Sequence, residues 1–235
     1  MKVRIKFRKF GVMKFIGHLD IMRYFQKAMR RADIPIAFTA GYSPHMIMSF
    51  ANPLGVGLTS DGEYFDIELK TTISSKLAVK RLNQTMVEGI EIISFLEIPD
   101  NHKTGMSIVA GADYLAIPVS SVFPFSDKDI LEFLSQDTIA IVKKTKKSMR
   151  EVDIRPLIYD MKLENENIFM KLATGSVDNL KPDLVIDALN QFAQVNKDDI
   201  IIQYHRKEVY AWDDEHTTLV TLESFGTVIP EIEKE

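Results

Sequence analysis

The spacing of apolar residues changes along the first hundred positions, and that change restricts the fold more than any other feature of the chain. Over residues 2–10, Val3, Ile5 and Phe7 alternate with Lys2, Arg4, Lys6 and Arg8, the period expected of a strand with one buried and one cationic face. Over residues 19–32, Ile21, Met22, Phe25, Ala28, Met29 and Ala32 recur at steps of three and four, with Arg23, Lys27, Arg30 and Arg31 on the other side, as in an amphipathic helix. Asp20 or the turn at Gly17 can start this helix, and Pro35 stops it. Extended segments over 36–50 and 64–69, a Ser-capped helix over 75–84 and a strand over 90–98 complete a β-α-β-β-α-β order.

The second half reads in a similar way. Strand patterns fall at 114–119, 139–144, 168–172 and 200–205, with helices over 127–135 and over 182–192, where Pro182 sits in the first turn. An added hairpin over 141–159 carries the basic turn of Lys143, Lys144, Lys146 and Lys147. The expected fold class is α+β, two tandem ferredoxin-like halves, the second with an added β-hairpin. Residues 1–105 are expected to form the first domain, with the basic helix and the Gly41-Tyr42-Ser43-Pro44-His45 loop. Residues 106–235 are expected to form the second, with the basic hairpin and an acidic C-terminal tail after Trp212 at Asp213, Asp214 and Glu215. The junction is set by Pro99, Asp100, Asn101, Gly105 and Gly111, which interrupt the periodicity.

Cysteine is absent from all 235 residues, so disulfides, thiolate metal sites, thiol nucleophiles and a bound iron–sulfur cluster are excluded together. The net charge of -4 hides an asymmetry. Residues 1–60 hold ten Lys/Arg against two Asp/Glu, while the remainder holds nineteen against thirty-one, so the basic end is the one expected to meet a polyanion. No apolar run of about eighteen residues and no signal-peptide pattern is present, and a cytoplasmic location away from membranes is expected.

His18, Asp20 and His45 have the residue types of an acid–base or metal site, because imidazole titrates near neutral pH and a carboxylate can fix its tautomer. A helix cap and a loop closure are equally compatible with them. A third strong metal ligand is missing nearby, and no P-loop, dinucleotide fingerprint or nucleophile elbow occurs, so no metal or cofactor is expected on this chain. Arg23, Lys27, Arg30 and Arg31, interleaved with Tyr24 and followed by Tyr42 and Phe50, suit RNA instead: cations meet phosphates and rings stack on unpaired bases.

Several motifs carry a family likeness: Phe15-Ile16-Gly17-His18-Leu19-Asp20-Ile21-Met22-Arg23, then Arg30-Arg31-Ala32-Asp33-Ile34-Pro35, then Gly41-Tyr42-Ser43-Pro44-His45 and Ser49-Phe50-Ala51-Asn52-Pro53-Leu54. Gly62-Glu63-Tyr64-Phe65-Asp66, Arg150-Glu151-Val152-Asp153-Ile154-Arg155-Pro156 and Lys181-Pro182-Asp183 fit the same pattern. Through them the chain resembles the bacterial radical SAM-associated (radical SAM-linked) family of unknown function, encoded beside or fused to a radical S-adenosylmethionine protein. The family's usual Ser-His is Gly17-His18 here, and its frequent Pro after the second His is Met46. The resemblance implies a radical SAM protein as partner and implies no catalytic residue.

Three readings follow. The first is a non-catalytic RNA-binding or adaptor protein acting with a separate radical SAM enzyme. The second is a metal-independent endoribonuclease of tandem ferredoxin-like type using His18 or His45. The third is a protein–protein module without nucleic acid. For the radical SAM partner of the first reading, the shared surface is expected in segment 41–57, where Tyr42, Met46, Met48 and Phe50 offer apolar contacts, with Met46, Met48 and Phe50 in the core of the first domain as the alternative.

Overall fold

The computed structural model describes residues 1–119, 122–144, 149–196 and 200–231. The fold class is α+β. In the first half, β1 (Lys2–Lys9), α1 (His18–Arg31), β2 (Met48–Phe50), β3 (Thr59–Glu68), α2 (Ser75–Asn83) and β4 (Ile90–Ile98) follow in the expected order, with a short α3 (Gly105–Ile108) after them. The second half contributes β5 (Val109–Pro118), α4 (Asp127–Leu134), β6 (Ala140–Lys144), β7 (Met149–Asp153), β8 (Ile158–Glu164), β9 (Asn167–Ala173), α5 (Pro182–Phe192) and β10 (Ile202–Trp212). Two short strands close the chain, β11 (Leu219–Thr221) and β12 (Thr227–Val228).

Two compact units result, Met1–Ala110 with Glu208–Glu235, and Gly111–Lys207. The expectation gave 106–235 entirely to the second domain; the structure returns the last stretch to the first. Its pairing explains why: β12 lies antiparallel on β4, with Thr227 opposite Glu97, and the Leu222 carbonyl accepts from Arg4 Nη1 at 3.0 Å. A strand laid on β4 also covers an edge that would otherwise offer unpaired backbone groups.

In the first unit β1 is central, antiparallel to β3 on one side and to β4 on the other, and β2 pairs antiparallel with β3, giving the order β4-β1-β3-β2. α1 buries Ile21, Phe25, Ala28 and Met29 on this sheet. Phe25 lies at the middle of a ring cluster, 4.8 Å from Phe7 and 4.7 Å from Phe65 between centroids, and Phe50 stacks on Phe65 at 5.0 Å. Met46 and Phe50 are buried in this core, as the alternative had it, which removes them from the surface expected to meet the radical SAM partner. Tyr42 is fully exposed.

The other face of β1 is not the open cationic surface its alternation suggested. Arg4 is 1 % exposed and makes a fork to Asp66 on β3, Nε to Oδ1 at 2.8 Å and Nη2 to Oδ2 at 3.0 Å. Lys6 donates to Glu208 at 2.6 Å and to Glu223 at 2.8 Å, and Arg8 pairs with Asp61 and Glu91. The outer cations of β1, Arg4, Lys6 and Arg8, are therefore answered by carboxylates brought from elsewhere in the same unit. Gly62 is needed here for space, since a Cβ on it would lie 2.9 Å from the Glu208 Cα.

The second unit has the strand order β10-β5-β9-β8. Residues 140–144, expected to be the second strand of this half, pair instead with 149–153 as β6 and β7, within the stretch where the added hairpin was expected, and the strand beside β9 is β8. A bulge between Ile158 and Asp160 breaks the alternation of β8, which hid it from a period-two reading. The tip of the basic hairpin, residues 145–148, lies outside the described residues. α4 opens with a capping box of Ser126 and Asp129, and α5 with Pro182 in its first turn. Among the described residues no helix is long and apolar enough to cross a membrane.

Candidate binding site

Residues 3, 5, 7 and 9 of β1 face α1, and the phase that places Phe7 in the core also places Lys9 there, 2 % exposed. On β3, Glu63 has the phase of Phe65 and Ile67, lies across from Phe7, and is 4 % exposed. Two charged side chains thus end the inner face of the sheet. The start of α1 closes the space above them, and His18, its first residue, is half-buried with its ring edge-on to Phe50 at 5.1 Å. Lys9, His18 and Glu63 line one cleft with Phe7, Ile21, Phe50, Pro53 and Leu54, about 260 Å³ of empty space that is partly open solvent.

Lys9 Nζ donates to the Ile16 carbonyl at 2.8 Å, tying β1 to the turn before α1. The loop after β2 covers the same turn, where the Gly57 amide donates to the Lys14 carbonyl at 2.8 Å. Burial, and then the positive charge of Lys9, hold the His18 imidazole below its ordinary pKa. A histidine so placed resists protonation in the folded state, so the unfolded chain binds more protons as the pH falls through the imidazole range. The His18→Gln variant is expected to lose less stability than the wild type between pH 7 and pH 5, read from urea midpoints at the two values; equal losses would show that His18 does not titrate against the fold.

The three residues singled out as an acid–base or metal set do not form a triad. Asp20 lies on the surface of α1 and accepts from Arg23 Nη1 at 3.2 Å. His45 is exposed, and its Nδ1 and backbone amide both contact Thr39 Oγ1, at 3.1 and 3.2 Å, while its carbonyl accepts from the Thr39 amide. That histidine closes its own loop. It is not among the residues lining the His18 cleft. No cluster of three or more His, Cys, Asp or Glu side chains suited to a metal occurs among the described residues.

Lys9 and Glu63, which motif reading missed, carried a visible signal, because each is a charged residue in an otherwise apolar phase. Of the cations on α1, Arg23, Lys27, Arg30 and Arg31 are all exposed. The Arg31 guanidinium lies over the Tyr24 ring at 5.7 Å, and the Tyr24 hydroxyl accepts from the Val87 amide at 2.8 Å, so that ring is held against the protein. Lys27 and Arg30 have no carboxylate partner among the described residues.

Sequence comparison then fixes the family. The chain belongs to the DUF2344 family, described as uncharacterized protein conserved in bacteria, which matches residues 2–182. No curated protein matches the chain. The match covers β1 through the start of α5, and with it the whole cleft and the basic helix.

Proposed function

We propose that the chain is an RNA-binding adaptor, without a reaction of its own, that presents RNA to a separate radical SAM enzyme in the bacterial cytoplasm. The observation that carries the RNA half is a contrast between neighbouring elements. The outer cations of β1 are answered by Asp66, Glu208, Glu223, Asp61 and Glu91, whereas α1 holds four exposed cations on one face with Lys27 and Arg30 uncompensated. An uncompensated cationic stripe on a helix is suited to a phosphate backbone. The strand orders β4-β1-β3-β2 and β10-β5-β9-β8, each with its helices, support reading the two units as ferredoxin-like, the second with β6 and β7 inserted.

Charge reversal is the test. Lys27→Glu with Arg30→Glu is expected to weaken binding of a fluorescent single-stranded RNA about tenfold or more at roughly 0.1 M salt, with Tm unchanged because both side chains are exposed. Unaltered affinity would remove α1 from the interface. RNA recovered intact after incubation distinguishes the adaptor from a histidine ribonuclease.

The partner half rests on the resemblance and on the lack of cysteine, which leaves the iron–sulfur cluster to another chain. The exposed segment 41–45 with Tyr42 is the surface proposed for that partner. Hydrogen exchange with and without the radical SAM enzyme is expected to show protection there; protection confined to residues beyond 112 would reject this surface.

A further inference from the structure

We propose that the exposed ring of Phe15 is the stacking platform for one unpaired base of the bound RNA, at the end of the cationic stripe of α1. This deepens the RNA reading above and rests on it. Four large apolar side chains gather around the Gly17 turn without being buried: Val12 is 74 % exposed, Phe15 65 %, and Leu19 and Val56 61 % each. The backbone sets them side by side. Gly11–Phe15 is a 3₁₀ turn, in which residues three apart eclipse, so Val12 and Phe15 share a side. Val56 lies over Gly17, its Cγ2 3.8 Å from where a Cβ on that glycine would stand, and the Gly57 amide ties the same loop to the Lys14 carbonyl at 2.8 Å. Leu19 follows in the first turn of α1. Single exposed apolar side chains are ordinary, but four grouped on one turn mark a contact.

The stripe that leads away from this group decides what the contact is. Arg23 and Lys27 follow Leu19 at four-residue steps, about 6 Å each along the axis, and Arg30 continues the row three residues on. Asp20 pairs with Arg23 at 3.2 Å, while Lys27 and Arg30 have no carboxylate partner among the described residues. A ring with a row of cations leading from it holds a single strand, base on the ring and phosphates on the cations. Of the rings beside the stripe, Phe25 is buried and Tyr24 is held by the Val87 amide, which leaves Phe15. Lys14 Nζ stands 5.3 Å over the Phe15 ring and is the only charged or aromatic group on it among the described residues, so ring surface remains for a base. Four apolar side chains also fall far short of the about twenty residues a side that a stable protein interface uses, whereas one ring suffices for one base.

The test titrates the full chain into a fluorescent single-stranded RNA at several salt concentrations. Phe15→Ala is expected to weaken binding about tenfold, the worth of one stacked base, with the slope of log K against log salt unchanged because stacking releases no counterion. Phe15→Leu is expected to lose as much as Phe15→Ala, which separates stacking from plain apolar contact. Phe15→Trp is expected to keep the affinity and to lose indole emission when RNA is added, beyond any change that Trp212 shows in the wild type. Tm is expected to hold in all three, since residue 15 is exposed. Unchanged affinity in Phe15→Ala, or full affinity in Phe15→Leu, overturns the proposal, and the RNA reading then rests on the Lys27 and Arg30 reversals alone. A wild-type chain without RNA affinity removes both.

Discussion

Asp66→Ala is expected to destabilise the first unit by about 3–5 kcal/mol, measured by urea denaturation, because it leaves the buried Arg4 guanidinium without its counter-ion. Arg4 and Asp66 lie on neighbouring strands with both N–H···O bonds made, and Asp66 Oδ2 also accepts from the Gly105 amide at 2.7 Å. Removing the carboxylate therefore strands a charge and an amide at once. Arg4→Met combined with Asp66→Leu is expected to recover the part of the loss that comes from the stranded charge, since an apolar pair has no charge to desolvate, but not the part from the Gly105 amide, which still lacks its acceptor. A loss below about 1 kcal/mol for Asp66→Ala would mean that water reaches the guanidinium and that the pair is in effect a surface one.

Phe25→Ala is expected to cost about 3–5 kcal/mol as well, through a cavity rather than a charge. Phe25 is fully buried and meets Phe7, Phe50 and Phe65 on three strands and Tyr24 beside it on α1, so its removal opens space among rings fixed to the sheet. Because the ring fixes α1 to the sheet, RNA affinity is expected to fall with stability, whereas the Lys27 and Arg30 reversals lower affinity alone. Phe25→Ala and Phe65→Ala are expected to be non-additive, since the rings lie 4.7 Å apart and share one cavity. Additive losses in a double-mutant cycle would contradict a single packed cluster.

Much of the first unit was legible because its apolar period changes at each element boundary. α1 shows this well: Ile21, Phe25, Ala28 and Met29 fall on the buried stripe, and Pro35 follows the end of the helix. The outer face of β1 misled because alternation reports which side chains share a face, not what covers that face. Asp66, Glu208 and Glu223, which cover it, are distant in sequence, and no local pattern connects them to Arg4 and Lys6. For the same reason the sequence assigns the tail after Trp212 to the second domain, although its strand β12 pairs with β4.

The cleft was half legible. His18 stood out by residue type, and so did His45 and Asp20, which the structure places in a loop and on a helix surface. Lys9 and Glu63 escaped notice because a motif search looks for familiar spacings, whereas their signal is a break in phase. Lys9 continues the series Val3, Ile5, Phe7, and Glu63 begins the series that runs through Phe65 and Ile67. A buried charge at such a position needs a partner or a task. Searching strands for charged residues in the apolar phase would have found both.

The salt dependence of RNA binding tests the central claim most directly. For the wild type, log K against log of the salt concentration is expected to fall linearly, with a slope of about -0.7 for each phosphate neutralised on a single strand. Reversal of Lys27 and Arg30 is expected to make that slope shallower by about 1.4, the share of two contacts, at unchanged Tm. A wild-type affinity independent of salt, or a slope that the two reversals leave unaltered, would contradict α1 as the surface that meets RNA.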